Sequence, residues 1–295
     1  MFALSVVSVL VGAAVVLGWA LPTFFDGPGV GDILDGESLG TSDASAPVSG
    51  APFSMVLPDD PSRITIDDAS FYGWALLDRG TGKTTGSANR ETETNTTESM
   101  IKPWIVADFL RQRSDEAQDP SPDELDELTL VLIDSNDPLA EKYYQLGGAD
   151  EVVERLESIC GLTHLSIEST LWGMTQMTPA DAVRYGACLA DGRAAGPQWT
   201  KWLLDTMKQV RGSVSEQDSG EVQGGRWGII DGLPDALAKD TSFKNGWTVY
   251  DDGWHVNCLA IHPGWVLSVM MRTQAELEQA AAGCASVASS LVMEH

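Results

Sequence analysis

"TNTTESMIKPW", residues 94–104, sets Ser99 and Lys102 three positions apart where a polar stretch turns apolar. If a helix begins near Ser99, both side chains leave it on the same side, one turn apart. Pro103 is tolerated in such a first turn, whose amides have no intrahelical partner. The positive end of the helix favours negative charge developing at the serine. A lysine within hydrogen-bond reach and partly removed from water holds a lowered pKa and can take the hydroxyl proton. A surface helix gains nothing specific from that pair, whereas a nucleophilic serine with an internal base requires it. By itself the spacing also fits a helix-capping serine beside a surface lysine, so its company along the chain has to decide.

Upstream, "FYGWALLDRGTGKTTGSANR" (71–90) predicts a strand, a tight turn over Asp78–Gly82 and a returning strand. Its "GTGKTT" is no phosphate-binding loop, because Leu77 stands where that motif needs its first glycine. Downstream, from Ser99 to about Arg211, the apolar spacing is helical, and "SPDELDEL" opens one helix with a Ser-Pro-x-Glu entry. Strand-like runs return in "FKNGWTV", "HVNCLAIH" and "WVLSVMMR", split by Asp-Gly and Pro-Gly turns, before a last amphipathic helix in "TQAELEQAAAGCASVASSLV". Strands, helices, then strands and a helix imply a sheet domain interrupted by a helical one.

The 295 residues, 43% of them apolar with ten tryptophans, suffice for a sizeable core, and a formal charge of −25 argues against a nucleic-acid partner. Acidic residues are scattered, as in a heavily solvated surface. Residues 1–25 carry no charge and are long enough to span a bilayer, which reads as a membrane anchor or signal segment. Residues 26–60, rich in Gly, Ser and Asp, read as a flexible tether, leaving 61–295 as the folded domain outside the cytoplasm. An even count of four cysteines suits that compartment. Of three possible connectivities, Cys160–Cys188 with Cys258–Cys284 keeps each pair within one contiguous half. No Cys-x-x-Cys or Cys/His cluster suggests a metal site, and no cofactor is expected.

Three motifs then fall in a telling order: Ser99-Met-Ile-Lys102, "DSND" at 134–137 and "KNGW" at 244–247, with "RWGI" (226–229) and "WHVN" (254–257) around the last. In this the chain resembles class A β-lactamases and penicillin-binding proteins, whose signature is S-x-x-K, S-D-N and K-T-G. It is similar above all to the actinobacterial envelope serine hydrolases related to them. The resemblance covers roughly residues 65–295. It implies an α+β fold, an antiparallel sheet flanked by helices, with an all-helical subdomain inserted at about 99–212. It also implies a monomeric hydrolase acting by acyl transfer on an envelope amide or ester, a small molecule or peptidoglycan-like. Ser99 is then the nucleophile and Lys102 its base. Lys244 draws in a substrate carboxylate, the backbone amides of Ser99 and Trp247 form an oxyanion hole, and Asn245 and Gly246 line the substrate.

The chain departs from the pattern twice. Counting back from Gly147-Gly148 places Asn136 on the family's asparagine, Ser135 on its aspartate and Asp134 on the serine that relays a proton to the leaving group. Asp134 can do that only when protonated. A one-residue irregularity in the loop would return the role to Ser135, and a loop without chemistry is the third option. In the second departure, Glu168 of "ESTLW" takes the place of the β-lactamase glutamate that activates water, but the loop is shorter and Trp172 replaces an asparagine. Without a positioned base an acyl-enzyme turns over slowly. That leaves a slow penicillin-binding or D,D-peptidase-like protein, or a catalytically weak envelope-binding one, as alternatives. His255 reads as structural, at a strand end.

Overall fold

The computed structural model describes residues 53–218 and 224–295; the apolar segment 1–25 and most of the tether lie outside the described residues. Strand pairing reaches back into the stretch read as tether, where β1 (Phe53–Met55) pairs antiparallel with β9 (Val292–Glu294). No helix among the described residues is long and apolar enough to cross a membrane.

The hairpin forms where the turn residues place it. In β2 (Ala69–Asp78) and β3 (Thr84–Gly86), Asp78 closes the turn by accepting from the Gly80 and Thr81 amides at 2.8 and 2.9 Å. Gly82, at φ +70°, supplies the left-handed residue. The other long strands are β6 (Ser242–Tyr250), β7 (Gly253–His262) and β8 (Trp265–Thr273). All five join in one antiparallel sheet of order β3-β2-β8-β7-β6. Its early strand β2 therefore lies against its latest, β8, and everything between β3 and β6 is an insertion. The result is the α+β architecture expected.

Both sheet faces are covered, which is why β7 and β8 are largely apolar rather than alternating. Leu259, Ile261, Val266 and Met270 face the helical insertion, while Val256, Cys258, Ala260, Leu267, Val269 and Met271 face α9 (Leu277–Leu291). The insertion contains α1 (Lys102–Asp115), α2 (Pro122–Ile133), α3 (Asp137–Leu146), α4 (Asp150–Cys160), α5 (Pro179–Ala190) and α6 (Pro197–Met207). Between them β4 (Asn95–Thr96) pairs with β5 (Gln176–Met177), and α7 (Val214–Asp218) and α8 (Asp235–Ala238) are single turns.

Residues Lys102 to Leu110 of α1 are all buried, so this helix is the hub of the insertion. α2 begins with the capping box its sequence announces: Ser121 accepts from the Glu124 amide, and Glu124 accepts in return from that of Ser121. α5 lies close on the sheet because Gly186 has no Cβ; one there would sit 2.6 Å from Val266. The disulfides are Cys160–Cys188, joining α4 to α5, and Cys258–Cys284, joining β7 to α9. One thus staples each side of the sheet.

Candidate active site

Ser99 sits in a 3-10 turn, Glu98–Ile101, that runs straight into α1. It is half-buried on the wall of a cavity of about 480 Å³. The turn is held from both ends: Thr97 donates to the Thr175 carbonyl at 2.7 Å, and Met100 donates to that of Thr97 at 3.0 Å. Glu98 adopts a left-handed backbone (φ +49°), a conformation that persists only where its surroundings fix it. They do so here through its carboxylate, which accepts from Thr248 at 2.8 Å and from Tyr250 at 2.9 Å.

Lys102, the first residue of α1, is completely buried. An ammonium has three donors, and all three are engaged: by the Ser135 carbonyl, by Ser135 Oγ at 2.9 Å and by Asp137 Oδ1 at 2.5 Å. The hydrogen bond expected between Lys102 and Ser99 is not made, and among the described residues the Ser99 hydroxyl has no partner. Lys102 is instead held as the cation of an ion pair. Burial lowers its pKa, with Asp137 working in the opposite direction.

The loop before α3 decides the register of the middle motif. Ser135 lies in the left-handed region (φ +54°), is buried, and places its hydroxyl between two lysines, Lys102 at 2.9 Å and Lys244 at 3.0 Å. This is the one-residue irregularity, and it brings Ser135 rather than Asp134 to the two lysines. Asp134 faces outward and is clamped by Arg211 at 2.5 and 2.6 Å. Asn136, counted to the family's asparagine, caps α3 by accepting from the Leu139 amide at 2.9 Å. Asp137 takes the place at Lys102. The motif in space is Ser135-Asn136-Asp137, with the acid and the amide exchanged relative to S-D-N. A sequence signal for this existed: Asn-Asp-Pro reads as an N-cap followed by a helix start with proline in its first turn.

Lys244 comes from the edge strand β6 and is also fully buried. It donates to Ser135 Oγ, to the Asn245 carbonyl at 2.9 Å and to that of Gly224 at 3.5 Å, which leaves no proton for a substrate carboxylate in this arrangement. Burial, then the charge of Lys102, pushes its pKa well below the ordinary lysine value, and Asp137 only partly offsets them. Asn245 points away from the cavity. Its amide donates to the carbonyls of Gly225 and Trp227 at 2.8 and 2.7 Å, tying down the segment behind the strand rather than lining a substrate. Gly246 lies against the nucleophile turn so closely that a Cβ would stand 2.4 Å from the Thr97 carbonyl oxygen and 2.7 Å from the Ser99 nitrogen. Trp247 follows it into the cavity wall, its ring edge-on to Trp227.

Glu168 is exposed and does not line the cavity. The same loop contributes Trp172, whose ring lies 5.3 Å from the Lys102 ammonium and whose indole donates to Glu141 at 2.9 Å. Trp172, Glu141, Glu98 and Asp137 are thus cavity residues that the motif pattern does not identify. His255 is fixed between Thr96 at 2.7 Å and Asp252 at 3.1 Å, beside a second cavity of about 730 Å³, and does not approach Ser99 through the first. Among the described residues no group of His, Cys, Asp and Glu is arranged to hold a metal ion.

The fold and the order of these side chains along it define the class: this is the class A β-lactamase fold. An ancestral class A β-lactamase (GNCA) superposes with a TM-score of 0.57 over 75% of this chain and 93% of its own, at 19% identity. The β-lactamase of Xanthomonas campestris gives 0.58 over 75% and 91%, at 18% identity. That of Desulfarculus baarsii gives 0.58 over 76% and 91%, at 14% identity. By sequence, the chain is 28% identical over 196 residues to proteins of Mycobacterium tuberculosis and Mycobacterium bovis that carry the name lipoprotein LppW. That stretch is 63% of this chain and spans 59% of the length of the mycobacterial proteins. No protein-family model matches the chain.

Proposed function

We propose that this is an extracytoplasmic serine hydrolase, active as a monomer by acyl transfer through Ser99 on an amide or ester of the cell envelope. The observation that carries the reading is Ser99 on a cavity wall at the start of the helix whose first residue, the buried Lys102, shares the Ser135 hydroxyl with the buried Lys244. Two disulfides and relatives named as lipoproteins support the compartment, and the uncharged segment 1–25 supports attachment to the membrane.

In the reaction, Lys102 acts from its neutral amine form, which burial favours, having given one proton to solvent. The amine then accepts the Ser99 proton as Oγ bonds to the carbonyl carbon. The amides of Ser99 and Trp247 receive the developing oxyanion. As the tetrahedral adduct collapses, the bond to the leaving group breaks. Ser135 gives that group its proton and regains one from Lys102, leaving an ester on Ser99. Both lysines donate to Ser135 Oγ, so its own hydrogen remains for the leaving group. Glu168, the residue counted to the water-activating glutamate of the β-lactamases, lies outside the cavity, so the ester is long-lived.

A non-catalytic envelope-binding protein is the second reading, favoured by the ion pair that occupies Lys102. Incubation with a fluorescent penicillin and with a fluorophosphonate, followed by intact mass, separates the two. An adduct on Ser99 that persists for many minutes is the expected result, and Ser99→Ala abolishes it. Absence of any Ser99 adduct in a folded sample would overturn the enzymatic reading in favour of the binding protein.

A further inference from the structure

Family resemblance leads to a substrate carboxylate held by Lys244, but the cavity is built for the opposite charge. Every positive group at Ser99 is sunk below the surface with its protons committed: Lys102 and Lys244 are fully buried, and each has three acceptors. The described residues lining the cavity include no Lys, Arg or His, but three carboxylates, Glu98, Asp137 and Glu141. Asp137 is 74% exposed at its side chain, and Glu141 is exposed too, oriented by the indole of Trp172 and by Gln145 at 2.8 Å. Trp172 and Trp247 add two aromatic rings to the same wall, the surface on which an ammonium group is best received. Around this lies a chain of formal charge −25, which repels anions and raises the local concentration of cations.

We infer that the acyl donor for Ser99 carries a positively charged group, an alkylammonium near the scissile ester or amide, and no carboxylate there. The ammonium lies among Asp137, Glu141 and the Trp172 ring. It also competes with Lys102 for Asp137. Weakening that ion pair favours the neutral Lys102 amine, the form that takes the Ser99 proton, so charge selection appears in the acylation rate constant as well as in binding. This inference rests on Ser99 being the nucleophile, and the test keeps the two apart.

Three activated nitrophenyl esters with acyl chains of equal length, ending in trimethylammonium, methyl or carboxylate, are offered to the full chain in detergent. Nitrophenolate release and intact mass report acylation, with Ser99→Ala as the blank. The cationic ester is expected to acylate Ser99 faster than the anionic one by about tenfold or more, with the neutral ester between. Glu141→Gln keeps an acceptor for the Trp172 indole and is expected to lower the ratio of cationic to neutral rates several-fold, as is Asp137→Asn. Equal rates, or preference for the carboxylate, with Ser99 acylated by the neutral ester, overturn the charge inference alone. Unchanged ratios in both variants overturn it as well. No adduct on Ser99 from any ester or from the fluorophosphonate overturns the nucleophile and the inference together.

Discussion

Ser135 holds the site together because two ammonium groups, both out of contact with water, share its hydroxyl oxygen. Removing a partner from a buried charge costs more than the hydrogen bond itself contributes. Ser135→Ala is therefore expected to lower stability by about 2 kcal/mol, read from denaturant unfolding, and to slow acylation of Ser99 by more than that loss of stability explains. The pH dependence follows from Lys102. A protonated amine cannot accept the Ser99 proton, so acylation rises with pH through the lysine's own pKa. Burial sets that pKa below the ordinary lysine value. The rate of adduct formation should thus climb with pH and level off before free lysine titrates; a flat profile would remove Lys102 from the role of base. At this scale the sequence singled out Ser99, Lys102 and Lys244 as candidates because each stands in a short motif, and the fold gathers their segments. It concealed Asp137 because one left-handed residue, Ser135, shifts the count by one. Asn245 misleads for a related reason: a strand sends successive side chains to opposite faces, and the face it meets is the segment at Gly225–Trp227.

Among elements, the edge strand β6 and the Ser99 turn form one unit. Gly246 is where they meet, and its missing Cβ lets two backbones touch. Gly246→Ala has no flexible side chain to displace, since the atoms at 2.4, 2.5 and 2.7 Å belong to the main chain of Thr97, Met100 and Ser99. The strand must then move off the nucleophile turn. The expected cost is roughly 1–3 kcal/mol, together with loss of Ser99 labelling well beyond that of a destabilised but folded control. The loop carrying Glu168 gives the contrasting case. Its glutamate is exposed, so Glu168→Gln is expected to leave the lifetime of the Ser99 adduct unchanged by intact mass; a longer lifetime would give Glu168 a part in deacylation. The long elements were legible, from the hairpin at 71–90 to the capped α2 and the three late strands, because periodicity and turn residues agree there. β1, β4, β5 and β9 were not. Strands of two or three residues are too short to show a period, and they form only because distant segments meet.

For the whole molecule, the two disulfides divide the labour between stability and site. They close loops with sequence separations of 28 and 26 residues, so the chain-entropy argument gives each about 3.5 kcal/mol. Their surroundings differ. Cys160–Cys188 lies between α4 and α5 within the helical core. Cys258 stands opposite Asn245 in the β6–β7 register, and Gly228 passes so close that a Cβ there would be 2.9 Å from its sulfur. That disulfide therefore backs the segment Gly225–Trp227 that Asn245 binds, and with it the strand that presents Lys244 and Gly246. Replacing either pair by alanine is expected to lower the melting temperature by a similar amount, roughly 7–14 °C for a chain of this size. Only the Cys258/Cys284 replacement should also slow acylation of Ser99 when both variants are measured well below their melting points. Equal acylation by both variants would mean that the sheet alone holds the site, and that the disulfide behind β7 serves the fold and nothing more.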